Sequence, residues 1–557
     1  MPEDKSTKKE EELEKKLLDM RGRAEEDKYK ALAQQLNLPY SNLISIPIDT
    51  DALSLLSEEE ARSASIAPIF QKDSKIIVVT VDPTNPVTQK VISRLKENSE
   101  VDVILTNPRS LQNILKRYRD IKKADVFEVG AIEIREKELD RLEGEIKNIS
   151  DIKERMKKMS ATSLLEMIVA GALKTEASDI HLEPESDKIR LRYRLDGLLH
   201  DIASLDEPSY EKVLNRIKVL SKIKLNIHNT PQDGRFTIRL KTVSIEVRVS
   251  VLPSEFGETV VIRLLDPRTI KRSLEELGMR DDLLNKVKEV LKKPTGAIFT
   301  TGPTGSGKTT MLYAFVSYLN SPETKIVTIE DPIEYHIEGI SQTQVDTHKG
   351  YTFANGLRAI VRQDPDIILV GEIRDAETAN IALQSALTGH LVLSTIHTND
   401  AAGTIPRLID LDIRPQIIAP AINVAMAQRL VRKLCPNCKK MEKIETEDLK
   451  KIKALLEPLS KFRNIDMSKY PKLDASLEIG TPGKCTECND SGYKGRIGVF
   501  EAFEMSREME KLILRSPAMS EVRDLAITEG MVTMLQDAYI KLINGVTSME
   551  EIDRVLG

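Results

Sequence analysis

The chain has 557 residues, too many for one hydrophobic core, so three or four domains are expected. Its 82 Lys and Arg against 87 Asp and Glu give a net charge of −5, which argues against a global attraction to nucleic acid or acidic lipid and leaves only local basic patches open. The chain has no apolar run of 18 residues and its N-terminus is charged rather than signal-like. The expectation is therefore a cytosolic protein without a membrane span, reaching any membrane through a partner.

Residues 1 to about 30, dense in Lys and Glu, predict a charged arm. Residues 31–120 predict a small α/β docking domain. There, Ser57-Glu58-Glu59-Glu60 reads as a capping box. Segment 75–81 is a strand, 82–86 a turn, and a helix runs to about Lys96; a strand at 101–106 and a helix from near Ser110 follow. No catalytic constellation falls in this region. Residues 121–158 alternate acid and base, as in Glu133-Ile134-Arg135-Glu136-Lys137-Glu138, and predict an exposed linker helix.

From Ser160 an apolar helix carrying Leu164, Leu165, Ile168 and Val169 leads into Ala177-Ser178-Asp179-Ile180-His181. Segments 189–195, 236–240, 244–249 and 260–264 alternate in character, the pattern of an antiparallel sheet with one wet face. Arg192, Arg194, Arg235, Arg239, Arg248 and Arg263 recur on it. Spacing alone favours a solvated sheet face; the alternative is a surface turned toward a nucleotide on a neighbouring subunit.

The run Gly302-Pro303-Thr304-Gly305-Ser306-Gly307-Lys308-Thr309-Thr310 fits G-x-x-x-x-G-K-[ST] at every fixed position. An apolar strand (296–301) precedes it and a helical segment follows, the context this motif requires. The glycines let backbone N–H groups turn toward phosphate oxygens, and the helix N-terminus adds partial positive charge. Lys308 would reach the β- and γ-phosphates of a nucleotide and Thr309 would hold Mg2+. The strand at 325–330 ends in Glu330-Asp331-Pro332-Ile333-Glu334, where Glu334 could orient or deprotonate an attacking water. A second apolar strand, 366–370, ends in Gly371-Glu372, a Walker B pattern with Glu372 suited to the Mg2+ shell; Arg358, Arg362 and Arg374 flank it. His390 and His397 bracket a strand at an odd offset, so they face opposite sides; each is either a core histidine or a sensor of the γ-phosphate.

The four cysteines form two pairs, Cys435/Cys438 and Cys485/Cys488, separated by residues 439–484. Four thiolates can close a tetrahedral, structural Zn2+ site, and the intervening stretch is long enough to hold its own helix. Residues 499–557 read as helices.

With these motifs placed, the chain resembles the PilB/GspE branch of the secretion ATPase superfamily from about Ser160 to about Met505. The motifs that carry the resemblance include Ala177 to His181, Arg192-Tyr193-Arg194-Leu195-Asp196-Gly197, Gln232-Asp233-Gly234-Arg235, the 302–310 loop, Ile329 to Glu334, Gly371-Glu372-Ile373-Arg374-Asp375 and Thr395-Ile396-His397-Thr398-Asn399. The resemblance implies an α/β multidomain fold. After the 31–120 domain come a PAS-like α+β domain (159–272) and a RecA-like P-loop ATPase domain (273–557), the latter including a zinc-binding insertion (431–490) and C-terminal helices. It implies Glu334 as catalytic glutamate, Glu372 as Walker B glutamate, Lys308 and His397 as further catalytic residues, and Arg235, Arg248 and Arg263 as nucleotide-sensing arginines. It further implies a homohexameric motor using ATP, Mg2+ and Zn2+ at the cytoplasmic face of an inner-membrane machine. That motor would act on a membrane platform protein to assemble type IV pili, or alternatively to drive type II secretion; a DNA translocase is a distant alternative. The repeated Arg-Leu-Gly signatures with which some relatives bind cyclic di-GMP are absent from the sequence, so that ligand is not expected.

Overall fold

The computed structural model describes residues 26–42, 50–53, 55–56, 58–72, 75–96, 100–118, 131–133, 161–240, 243–462 and 465–557. The expected arm up to residue 25, Ser57 of the expected capping box, and the expected linker helix apart from 131–133 lie outside the described residues; 131–133 is a short strand. The chain forms two compact units, 1–128 and 129–557.

The first unit is a three-stranded sheet, β1 (Ile66–Lys72), β2 (Lys75–Thr80) and β3 (Glu100–Leu105), with β1 and β2 antiparallel and β2 and β3 parallel. Helices Glu58–Ser63, Pro86–Lys96 and Pro108–Lys116 accompany it. Asn107 caps the last by accepting the Ser110 N–H at 2.7 Å. Strand β1 is not legible in the sequence because it contains Pro68. Its ladder slips between Pro68 and Phe70, and its edge position tolerates the missing N–H.

The second unit holds two seven-stranded sheets. The first comprises β4 (Ala131–Glu133), β5 (Asp179–Pro184), β6 (Ile189–Leu195), β7 (Leu198–Leu205), β8 (Gln232–Arg239), β9 (Ser244–Ser254) and β10 (Gly257–Leu265), in the order β4-β8-β9-β10-β5-β6-β7. All neighbours are antiparallel except β4 and β8. Asp196 (φ 47°) and Gly197 (φ 90°) make the tight β6–β7 turn, an Asp-Gly pair in the left-handed region. Helices Ala161–Lys174 and Glu207–Leu220 cover one face through Leu165, Ile168, Val213 and Ile217, packed on Ile180, Tyr193, Val247 and Ile262. The opposite face carries the arginines.

The second sheet contains β11 (Gly296–Thr301), β12 (Ile326–Glu330), β13 (Ser341–Gln344), β14 (Ile367–Ile373), β15 (Leu391–Ile396) and β16 (Ile422–Leu434). After β16 the chain leaves as an insertion with a two-stranded ribbon, β17 (Lys440–Lys443) and β18 (Glu478–Thr481), and its own helix Thr446–Leu456; it returns as β19 (Tyr493–Glu504). The order is β13-β12-β14-β15-β11-β16-β19, parallel throughout except for β19 against β16. Helices cover both faces. Phe299, Ile329, Val370 and Val392 pack on the side of Phe353–Val361 and Ala376–Leu387, while Ile298, Leu369 and Leu393 pack against Lys308–Leu319. Burial on both faces explains why β11 and β15 are apolar without alternation.

One expectation is corrected here. Residues 499–504 are not helical but complete β19, and the C-terminal helices begin at Arg507–Ile513. The 13-residue β16 offers an open edge, and pairing along it outweighs local propensity.

Candidate active site and metal centre

Strands β11, β12, β14 and β15 end together at the carboxyl edge of the parallel sheet, and each delivers one expected site segment there: the 302–310 loop, Glu334, Glu372 and His397. This is the edge at which open parallel sheets bind ligands. Gly302 (φ 139°), Gly305 (φ 78°) and Gly307 (φ 89°) form the loop, and helix Lys308–Leu319 starts from Gly307. A Cβ on Gly302 would lie 2.5 Å from the Gln428 carbonyl oxygen and 2.7 Å from Ser306 Oγ; one on Gly305 would meet nothing within 4 Å. The loop is therefore tight against β16 on one side and open on the other. Lys308 Nζ donates to the carbonyls of Gly302 (2.8 Å) and Pro303 (3.0 Å), so its ammonium is held by the loop that it would share with a phosphate. Burial holds its pKa below the usual lysine value, with Glu372 opposing. Ser306 Oγ is buried without a partner among the described residues, Thr309 and Thr304 are exposed, and Pro303 and Thr310 are half-buried. A glycine cradle, a helix N-terminus and a cation at one point fit a polyphosphate bound with Mg2+.

Gly371 lets β14 pass close to β12; a Cβ there would sit 3.3 Å from Glu330 Cα. Beyond it, Glu372 accepts His397 Nε2 at 2.9 Å and is paired with Arg374. Of the three arginines expected to flank Glu372, Arg358 instead pairs with Glu377, and Arg362 lines a shallow surface depression with it. His390 lies before β15, its Nδ1 against the Ser385 carbonyl at 3.0 Å. Thr301 Oγ1 donates to the Thr398 carbonyl at 2.7 Å and accepts its N–H at 3.0 Å, which fixes the ends of β11 and β15 together.

Glu334 faces the first sheet. Arg248 Nη2 lies 3.2 Å from Glu334 Oε2 and donates to the Ile333 carbonyl at 3.1 Å, while Oε2 is buried and accepts no aligned hydrogen bond among the described residues. Burial, the largest cause, raises the Glu334 pKa above the ordinary carboxylate value, and Arg248 and Arg263 pull against it. The strand register sets Arg235 opposite Arg248, Arg248 opposite Arg263, Arg263 opposite Asp179, and Asp179 opposite Arg194. One row across five strands thus carries four arginines and one acid, all on one face. Asp179 receives Arg263 Nε at 2.8 Å and Arg194 Nε at 3.3 Å. Burial would raise its pKa, but the Arg263 hydrogen bond and charge, with Ser178 and Arg194, hold it below the usual range. Arg235 is exposed at the far end of the row.

Two groups at this site went unassigned in the sequence. Glu330, 3% exposed, accepts the hydroxyls of Tyr313 and Thr328 (2.5 Å from Thr328) and the Gln342 amide at 3.2 Å. Tyr313 also accepts the Glu334 N–H at 3.2 Å. The doubled acids of the 330–334 segment were a signal for Glu330. Tyr313 gave none, because on a buried helix it reads as core.

The four cysteines converge. Sγ separations are 3.8 Å (Cys435–Cys485), 3.7 Å (Cys438–Cys488) and 3.6 Å (Cys485–Cys488), and all four lie within 4.8 Å of one another. A tetrahedron with Zn–S bonds of about 2.3 Å has edges of about 3.8 Å, so the set fits a four-coordinate metal. Gly492 N–H donates to Cys488 Sγ at 3.2 Å, and Gly483 is required because a Cβ there would overlap the Cys438 carbonyl at 1.9 Å. A cavity of about 610 Å3 opens beside this cluster rather than at the phosphate loop, lined by His200, Arg432, Cys488 and Tyr493; at its rim Gly495 N–H donates to Asp196 at 2.9 Å.

A glycine loop and two acids at the carboxyl edge of a RecA-like sheet, preceded by an arginine-bearing α+β sheet, define a P-loop ATPase. Residues 154–554 match the family model described as type II/IV secretion system protein, and residues 36–125 match the MshEN domain. The chain belongs to the type II/IV secretion system protein family, in its PilB/GspE branch. It is 33% identical over 524 residues to the type IV pilus assembly ATPase PilB of Myxococcus xanthus, covering 94% of this chain and 89% of that protein. It is 42% identical over 392 residues to the type II secretion system protein E of Dickeya dadantii, covering 70% and 75%. The fold is shared with the ATPase DotB of Legionella pneumophila, with a TM-score of 0.51 at 20% identity over 72% of this chain and 96% of that one. Among the described residues no helix is long and apolar enough to cross a membrane.

Proposed function

We propose that the chain is the motor of type IV pilus assembly, a cytoplasmic homohexamer that hydrolyses ATP at the inner membrane and acts through a membrane platform protein to polymerise pilin. One observation carries this reading. The pilus-assembly relative aligns over 94% of the chain, N-terminal unit included, whereas the secretion relative aligns over 70%. The higher identity of the secretion relative favours a second reading, in which the same motor assembles pseudopilins. A DNA translocase suits neither the net charge of −5 nor the relatives.

In this reading Gly302 to Thr310 cradle the phosphates, Lys308 leaves its loop carbonyls for phosphate oxygens, and Thr309 with Glu372 holds the Mg2+ side. Bound Mg2+ supplies charge neutralisation between the phosphates. Glu334 takes or orients the water, and His397 reports on the γ-phosphate through Glu372. Arg235, Arg248 and Arg263 bring positive charge from the PAS-like domain (159–272), within one subunit or across the ring. The RecA-like domain (273–557) includes the 431–490 insertion, whose four cysteines hold a structural Zn2+. The 31–120 domain docks another assembly protein.

Complementation separates the readings. In strains lacking the pilus or the secretion motor, this chain is expected to restore pili. Rescue of secretion without pili would reverse the choice, and unchanged ATP turnover in Lys308→Ala would remove the motor reading itself.

A further inference from the structure

Tyr313 lies on the helix that begins at Lys308, five residues on from it, and is 1% exposed. Its hydroxyl has two partners on a different segment. It donates to the Glu330 carboxylate and accepts the backbone N–H of Glu334 at 3.2 Å. Its ring stands edge-on to Tyr335, with centroids 4.6 Å apart. Glu330 has no arginine or lysine paired with it among the described residues; the Thr328 hydroxyl and the Gln342 amide supply its remaining hydrogen bonds. An acid this buried persists only if its lone pairs are occupied, and Tyr313 is the one donor that comes from the phosphate-loop helix.

We infer that Tyr313 is a positioning residue that ties the Glu334 segment to the phosphate-loop helix, with Glu330 as the buried acceptor that fixes its hydroxyl. The inference rests on the reading of Glu334 as the group that handles the attacking water. Lys308 and Tyr313 share one helix, so a shift of its first turn with the phosphate loop would be passed through the Tyr313 hydroxyl to the Glu334 N–H bonded to it. Without the hydroxyl, the helix keeps the Tyr335 ring contact and, further along the loop, the Asn320 amide on the Glu338 carbonyl at 2.9 Å, neither of which fixes the Glu334 N–H itself.

The test uses the full-length chain with three variants: Tyr313→Phe, Glu334→Gln and their double. Tyr313→Phe removes one oxygen and keeps the ring. Its kcat is expected to fall about 3- to 10-fold, as for one buried hydrogen bond lost from a positioned group. Binding of a fluorescent ATP analogue is expected to change less than twofold. Glu334→Gln is expected to fall much further, and the double variant to match it, because a residue acting only through Glu334 adds nothing once Glu334 is gone. An unchanged kcat in Tyr313→Phe overturns the inference. So does nucleotide binding weakened in proportion to kcat, which marks a packing role, and so does an additive double variant. Should Tyr313→Phe not fold, Glu330→Gln is measured against the same criteria. Full turnover in Glu334→Gln would instead sink the reading of Glu334, which separates the two failures.

Discussion

Arg248 and Glu334 join the two sheets of the second unit, with Arg248 Nη2 3.2 Å from Glu334 Oε2 and donating to the neighbouring Ile333 carbonyl at 3.1 Å. The arginine binds the backbone that carries the acid more directly than it binds the acid. It therefore fixes where Glu334 sits, while the buried Oε2 that it faces accepts no aligned hydrogen bond among the described residues. Glu334→Gln should lower ATP turnover about 100- to 10,000-fold, the range for loss of a general base, with nucleotide binding retained. Arg248→Ala should lower it about 100-fold. Steady-state phosphate release checks both.

The same pair sets a pH dependence. A base works only when deprotonated, and burial raises the Glu334 pKa. The acid limb of kcat should therefore lie at higher pH than an ordinary glutamate would give, with activity rising as pH rises through it. Arg248 favours the charged form, so Arg248→Ala should move that limb further up in pH. A downward movement in the pH profile would contradict the geometry.

Gly302→Ala places a methyl group 2.5 Å from the Gln428 carbonyl oxygen, at a φ of 139° that side chains rarely adopt. The loop must shift, and β16 is a packed strand that cannot yield. Nucleotide binding, read by fluorescence titration, should be lost with little change in the fold. Gly305→Ala meets open space, so only its φ of 78° opposes it, and its effect should be milder.

For the cysteine cluster, elemental analysis should find one zinc per chain, and Cys438→Ser should release it to a chelator. A metal held by these four cysteines would tie the two ends of the insertion together and so stabilise the 435–493 region. The melting temperature should fall with metal loss.

Asp537 lies fully buried between Arg280 (2.7 Å), Lys541 (2.6 Å) and the Phe500 N–H (2.8 Å). Asp537→Ala leaves the buried Lys541 without its carboxylate and Arg280 with Asp282 alone, and should cost about 3–5 kcal/mol in denaturant unfolding. Burial alone would raise its pKa, but Lys541 and Arg280 hold it below the ordinary aspartate value. A depressed acid stabilises the fold above the unfolded-state pKa, about 3.9, and this contribution disappears as pH falls from there through the folded value. Asp537→Ala should therefore flatten the acid limb of the stability curve.

The sequence alone determined what is written in short spacings. The 302–310 loop, the acids ending two apolar strands, and two Cys-x-x-Cys pairs each need residues within a few positions of one another, so local pattern sufficed to find them. It also determined the α/β class, because strands buried on both faces must be apolar without alternation. Tertiary structure alone decided the rest. Arg235, Arg248 and Arg263 are scattered in the chain and become one row only through the β8-β9-β10 register. Residues 499–504 became a strand because β16 offered an edge to pair with. Arg358 was drawn to Glu377, leaving Arg374 to meet Glu372. Tyr313 looked like core until the helix after the phosphate loop set its hydroxyl between Glu330 and the Glu334 N–H. These outcomes depend on long-range packing and pairing, whose free energies exceed the local preferences that a sequence displays.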